Sequence, residues 1–175
     1  MTAEPATKQK PTSTARLIGI LGAVIGWAIG QYSGFALLIP LAIAGLVWVS
    51  GRKIVHGNRQ VVFPAFAVQA GHLGWFLVGI LASRQLGLNA IDLVVFGAAL
   101  AWLLVSPGRA VLFVLAALQT IALLVNAYAI SQAAWGTPAH RSLTVHIALR
   151  ITAIVLNLIA AKRLSQADTS QPAVQ

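Results

Sequence analysis

The stretch SLTVHIALRITAIVLNLIAA, residues 142–161, carries one arginine and no acid. It has about the 20 residues a helix needs to cross the hydrocarbon of a bilayer. Arg150 falls near its middle, with His146 one turn before it. At about 100° per residue, Ser142, His146, Arg150, Ala153 and Asn157 share one stripe. Leu143, Ile147, Ile151, Ile154, Val155 and Leu158 lie away from it. A charged side chain at the centre of a bilayer costs roughly 2.5–3.5 kcal/mol on insertion scales, so it turns toward protein or a wet cavity. The stretch is predicted to be an amphipathic helix inside a membrane, with its polar stripe facing inward.

The rest of the chain supports a lipid solvent. Of its 175 residues, 58% are hydrophobic and 9% are charged, and the mean hydropathy is +0.84. Soluble domains carry about a quarter charged residues. Six apolar segments can be marked, at 13–31, 33–50, 61–82, 89–106, 109–130 and 142–161. A polar turn, QYSG at 31–34, separates the first two. The predicted fold is all-α: a polytopic bundle of six membrane-spanning helices over 13–163. Polar, proline-bearing tails at 1–12 and 164–175 are expected to be unstructured. Residues 1–30 also have a basic front, an apolar stretch and small residues at Ala28 and Gly30, the layout of a cleaved leader. A leader rarely runs straight into a spanning helix, so this stretch is read as a span.

Charge sets the expected orientation. Lys8, Lys10, Arg16, Arg52, Lys53, Arg59, Arg109, Lys162 and Arg163 fall on one side of this threading, and Arg84 and Arg141 on the other. Basic residues accumulate on the cytoplasmic side, so both termini are expected there, in a cell (inner) membrane. Trp27, Tyr32, Tyr128 and Trp135 then lie near the outer boundary and Trp48 near the inner one, where amphipathic rings settle. Trp75 and Trp102 lie deeper and are expected to pack.

Gly19, Gly22, Gly26 and Gly30 recur along the first segment. In lipid, helices associate through close packing, which small residues permit. This face is expected to receive another helix, from the same chain, a second copy or a partner subunit.

The chain has three acids, Glu4, Asp92 and Asp168, and only Asp92 lies in an apolar segment. It is therefore the expected partner of Arg150, directly or through His146. Counting about 1.5 Å of rise per residue puts Asp92, Asn126 and His146 at one level and Gln69, His72, Gln119 and Arg150 at the middle one. These seven residues form the candidate solute-binding set.

Several chemistries are disfavoured. The net charge of +9 sits in short clusters between apolar runs, not in a basic stripe, so no nucleic acid is expected. There is no cysteine, and no zinc-protease, nucleophile-elbow or phosphate-loop motif, so no enzyme activity is expected. The same counting offsets His72 and His146 by about 8 Å, too far for a shared haem. No cofactor and no metal is expected.

Two functional readings follow. In one, the protein is a small-solute transporter or its substrate-binding membrane subunit. Arg150 attracts a polar or anionic solute, His146, Asn126 and Gln119 orient it, and Asp92 holds Arg150 when the site is empty. In the other, it is a non-catalytic accessory or assembly subunit whose buried polar residues only hold helices in register. In layout, six helices with small residues on the first, the chain is similar to the substrate-capturing subunits of energy-coupling-factor vitamin transporters.

Overall fold

The computed structural model describes residues 35–84 and 87–170. The first expected segment, with Gly19, Gly22, Gly26 and Gly30, lies outside the described residues. Five helices follow in order: α1 (Phe35–Gly51), α2 (Asn58–Ser83), α3 (Gly87–Val105), α4 (Arg109–Gln132) and α5 (Pro138–Ser170). No strand occurs among the described residues. Three helices, α2, α4 and α5, are long and apolar enough to cross a membrane.

The helix ends follow from local chemistry. Gly57 takes φ 60° before α2, and Arg84 turns left-handed after it with its N–H on the Ile80 carbonyl. Pro107 and Gly108 break the chain between α3 and α4. Pro138 opens α5, where its missing N–H costs nothing. The Thr137 hydroxyl caps the same end by accepting the His140 N–H at 3.3 Å. At its other end α5 runs on to Ser170, through part of the tail expected to be unstructured. Residues 164–170 contain no glycine or proline, so each adds a hydrogen bond to a helix already nucleated.

Short turns make consecutive helices antiparallel. The bundle therefore has a basic end, with the α1–α2 and α3–α4 turns and the C-terminal part of α5, and a far end. α2 is central and packs against α1, α3 and α5, while α4 packs on α5 and α3. The main core lies toward the basic end, where Val62 of α2, Phe96, Leu100 and Leu103 of α3, Val111, Leu112 and Leu115 of α4 and Ala160 and Leu164 of α5 meet. A smaller cluster toward the far end joins Leu37, Val145 and Leu149, with Trp75 against it.

The outer surface is strongly apolar. Leu46, Leu81, Val94, Val105, Ile121, Leu124 and Val155 are all exposed. Only 28–33% of the apolar window of each long helix is buried within the protein. Water does not solvate such a surface at tolerable cost, and lipid does, which points to a membrane protein. Trp102 belongs to this outer surface and is not the packing residue its depth implied; it is exposed.

Candidate functional site

The polar stripe of α5 is turned inward. Arg150 is 1% exposed, and Ala153 and Asn157 are equally buried, while Ile151, Val155 and Leu158 face outward. Arg150 Nη2 donates to Asp92 Oδ2 at 2.6 Å, an ion pair between α5 and α3. Arg150 Nη1 donates to Gln119 Oε1 of α4 at 2.9 Å. Gln119 Nε2 donates to Gln69 Oε1 of α2 at 3.2 Å. Gln69 Nε2 donates to Asn157 Oδ1 of α5 at 3.1 Å and to the Ala65 carbonyl at 3.1 Å. One chain of hydrogen bonds thus ties together α3, α5, α4 and α2. The Phe76 and Phe96 rings flank the guanidinium, at 5.8 and 5.3 Å from Cζ, and supply a cation–π contact.

The ion pair is direct, so His146 is not its intermediary. His146 instead meets His72, with Nδ1 and Nε2 2.8 Å apart. One ring donates and the other accepts. This corrects the 8 Å offset expected between them. Counting rise places Cα atoms, whereas each imidazole reaches several ångströms from its backbone and closes the gap. The pair is stacked among aromatic rings, with Trp75 4.4 Å and Phe76 4.9 Å from His146, and Phe76 4.7 Å from His72. Among the described residues no group of three or more His, Cys, Asp or Glu side chains could hold a metal.

A cavity of about 610 Å³ opens on the far-end side of this layer, between α3, α4 and α5, with Phe76 of α2 in its wall. Its polar lining is Asp92, Asn126, Ser142, His146 and Arg150, and the remainder is apolar. Small-molecule sites have this volume and this mixture of apolar wall and few polar groups. Of the seven residues singled out from sequence, Arg150, His146, Asp92 and Asn126 line the cavity. Gln119, Gln69 and His72 stand behind its floor and hold it. Ser142, Phe76 and Phe96 were missed as lining residues. Phe76 lies four residues after His72 and Phe96 four after Asp92, hence on the same helix faces, but a buried phenylalanine looks the same in sequence whether it lines a core or a cavity.

Three buried donors, Asn126 Nδ2, Arg150 Nε and Asn157 Nδ2, have no partner among the described residues. Asn157 is thereby marked as the least committed member of the network. Asn157→Leu leaves Gln69 Nε2 bonded to Ala65 and removes an unpaired donor. Its unfolding free energy in detergent is expected to stay within about 1 kcal/mol of the parent.

Comparison of the chain with family models, with curated proteins and with solved structures finds no match in any of the three.

Proposed function

We propose that the chain is a multi-pass protein of the cell (inner) membrane that binds a small solute in the cavity above Arg150 and Asp92, as a transporter or as the binding subunit of one. The observation that carries this reading is a fully buried arginine, paired with the one carboxylate of the apolar segments, at the floor of a 610 Å³ cavity. Intramembrane ionisable residues usually mark substrate or ion pathways. Here the carboxylate of the pair borders open space in place of being sealed in a core. Asp92 is 30% exposed.

Six spans with both termini cytoplasmic complete the proposal: the five described helices plus the segment 13–31. Arg109 and Lys162 share a groove at the basic end, with Arg52, Lys53 and Arg59 in and after the α1–α2 turn, whereas Arg84 and Arg141 flank turns at the far end. That asymmetry favours a cytoplasmic basic end. A reporter fused after α5 is expected to be cytoplasmic and one inserted in the 133–137 turn external. Interchanged signals would reverse the orientation.

The accessory-subunit reading keeps one specific observation in its favour, namely that the Asp92–Asn157 chain of hydrogen bonds joins four helices and suits a register device. Cells carrying Asp92→Leu/Arg150→Met separate the two readings. A solute site predicts a variant that accumulates normally in the membrane and has lost uptake or binding. A register device predicts loss of the protein or its complex with no solute phenotype.

A further inference from the structure

The cavity has a sideways mouth. At the basic end, α3 and α4 are closed against each other by Phe96, Leu100 and Leu103 meeting Val111, Leu112 and Leu115. Toward the far end no such cluster joins them among the described residues. Ile91 and Val95 of α3 and Ile121 and Val125 of α4 line the cavity there and are also 41–61% exposed. Side chains that line a cavity and lie open on an apolar flank mark an entrance from that flank. In a bilayer this entrance faces acyl chains, so material dissolved in the membrane reaches the floor without passing through water.

We propose that the cleft takes an uncharged amphiphile from the bilayer, with a hydroxyl head at the Asp92 and Asn126 end and an apolar body between α3 and α4. This rests on the binding-site reading above and adds the class of ligand. Arg150 and Asp92 cancel each other's charge, so an ionised head would leave net charge in a low-dielectric site. The hydrogen-bonding groups left over are of two kinds. Asp92 Oδ1 accepts no hydrogen bond among the described residues, and Asn126 Nδ2 donates none. A hydroxyl donates to the part-exposed Asp92 carboxylate and can pair with the Asn126 carboxamide that lines the same cavity. A carboxylate or phosphate brings no proton for Asp92 and competes with it for Arg150. The apolar walls fit the hydrocarbon part.

The test uses the full chain in phosphatidylcholine nanodiscs and a diazirine-bearing hexadecanol as probe. Saturable photolabelling is expected within 91–96 and 118–129, competed by excess hexadecanol and at least tenfold less well by palmitate at neutral pH. Val125→Trp, which narrows the mouth, is expected to cut the labelling about fivefold or more. Leu124→Trp, on the exposed neighbouring position outside the cavity, is expected to leave it unchanged. Labelling that is unsaturable and even over the apolar surface overturns the proposal, as does stronger competition by palmitate. A cross-link between cysteines placed at Val125 and Gly22 would show the first segment of the chain seated in the cleft, and overturns it too. The chain lacks native cysteine, so that experiment has no background. A water-soluble solute that binds while the alcohol does not sinks the amphiphile and leaves the solute site standing. If neither binds, the site itself is lost.

Discussion

Arg150→Met is expected to destabilise the protein by about 3 kcal/mol, read from thermal or denaturant unfolding in detergent. Removing one member of a buried pair leaves the other charged group without compensation, at roughly 3–5 kcal/mol. The low end applies because the Asp92 side chain is 30% exposed in the cavity and keeps some solvation. Gln119 Oε1 also loses its donor from Nη1. The double variant Asp92→Leu/Arg150→Met is expected to recover most of that loss, since apolar side chains of similar volume replace a buried pair at little or no net cost. Failure of the double variant to recover would mean that the pair does more for the fold than mutual neutralisation.

Gly71→Leu is expected to cost about 3 kcal/mol or to release α1 from α2. A Cβ at Gly71 would run into the Pro40 carbonyl oxygen, and would stand 2.8 Å from Ala44 Cβ and 3.0 Å from Ala44 N. Those are backbone and near-backbone atoms of α1, so no rotamer change relieves the clash, and overpacking of this kind costs about 1–3 kcal/mol even where neighbours yield. Close approach of this sort is how helices adhere where lipid removes the hydrophobic drive between them. Two other glycines bracket the effect. At Gly74 the clash is with the tip of Ile43, 2.6 Å from Cδ1, which can move, so Gly74→Ala should cost less. Gly79 has nothing within 4 Å. Gly79→Ala is expected to stabilise by up to about 1 kcal/mol through helix propensity. Equal effects at all three positions would refute the packing account. The ladder is measured by unfolding the purified variants side by side.

Much of the site could be read from the chain because scarcity does the work. One carboxylate in the apolar segments, Asp92, leaves Arg150 a single choice of ion-pair partner, and the structure makes that pair. The stripe from Ser142 to Asn157 follows from helical period alone, and Gln69 and Gln119 meet at the level that rise per residue assigns them. The histidine contact was beyond such counting because it depends on side-chain reach and on how α2 and α5 cross, neither of which a one-dimensional depth contains. The aromatic walls were hidden for a different reason, since Phe76 and Phe96 have the same polarity as core residues. The cleft between α3 and α4 depends on where two helices part, a property of tertiary packing. α5 runs past its expected boundary to Ser170 because helix propagation continues through polar residues that include no glycine or proline. The glycine face of 13–31 lies outside the described residues.

The polar layer is either a binding floor or a register device, and one comparison distinguishes them. Purified parent protein and the Asp92→Leu/Arg150→Met variant are heated in parallel against a panel of small polar solutes, anions and membrane-soluble alcohols. A ligand that binds only the folded state stabilises it by about 2.7 kcal/mol at a hundred times its Kd. A binding floor predicts that at least one class raises the Tm of the parent and that the double variant, though folded, shows no rise. No shift in the parent with any class, or the same shift in both proteins, would contradict the account.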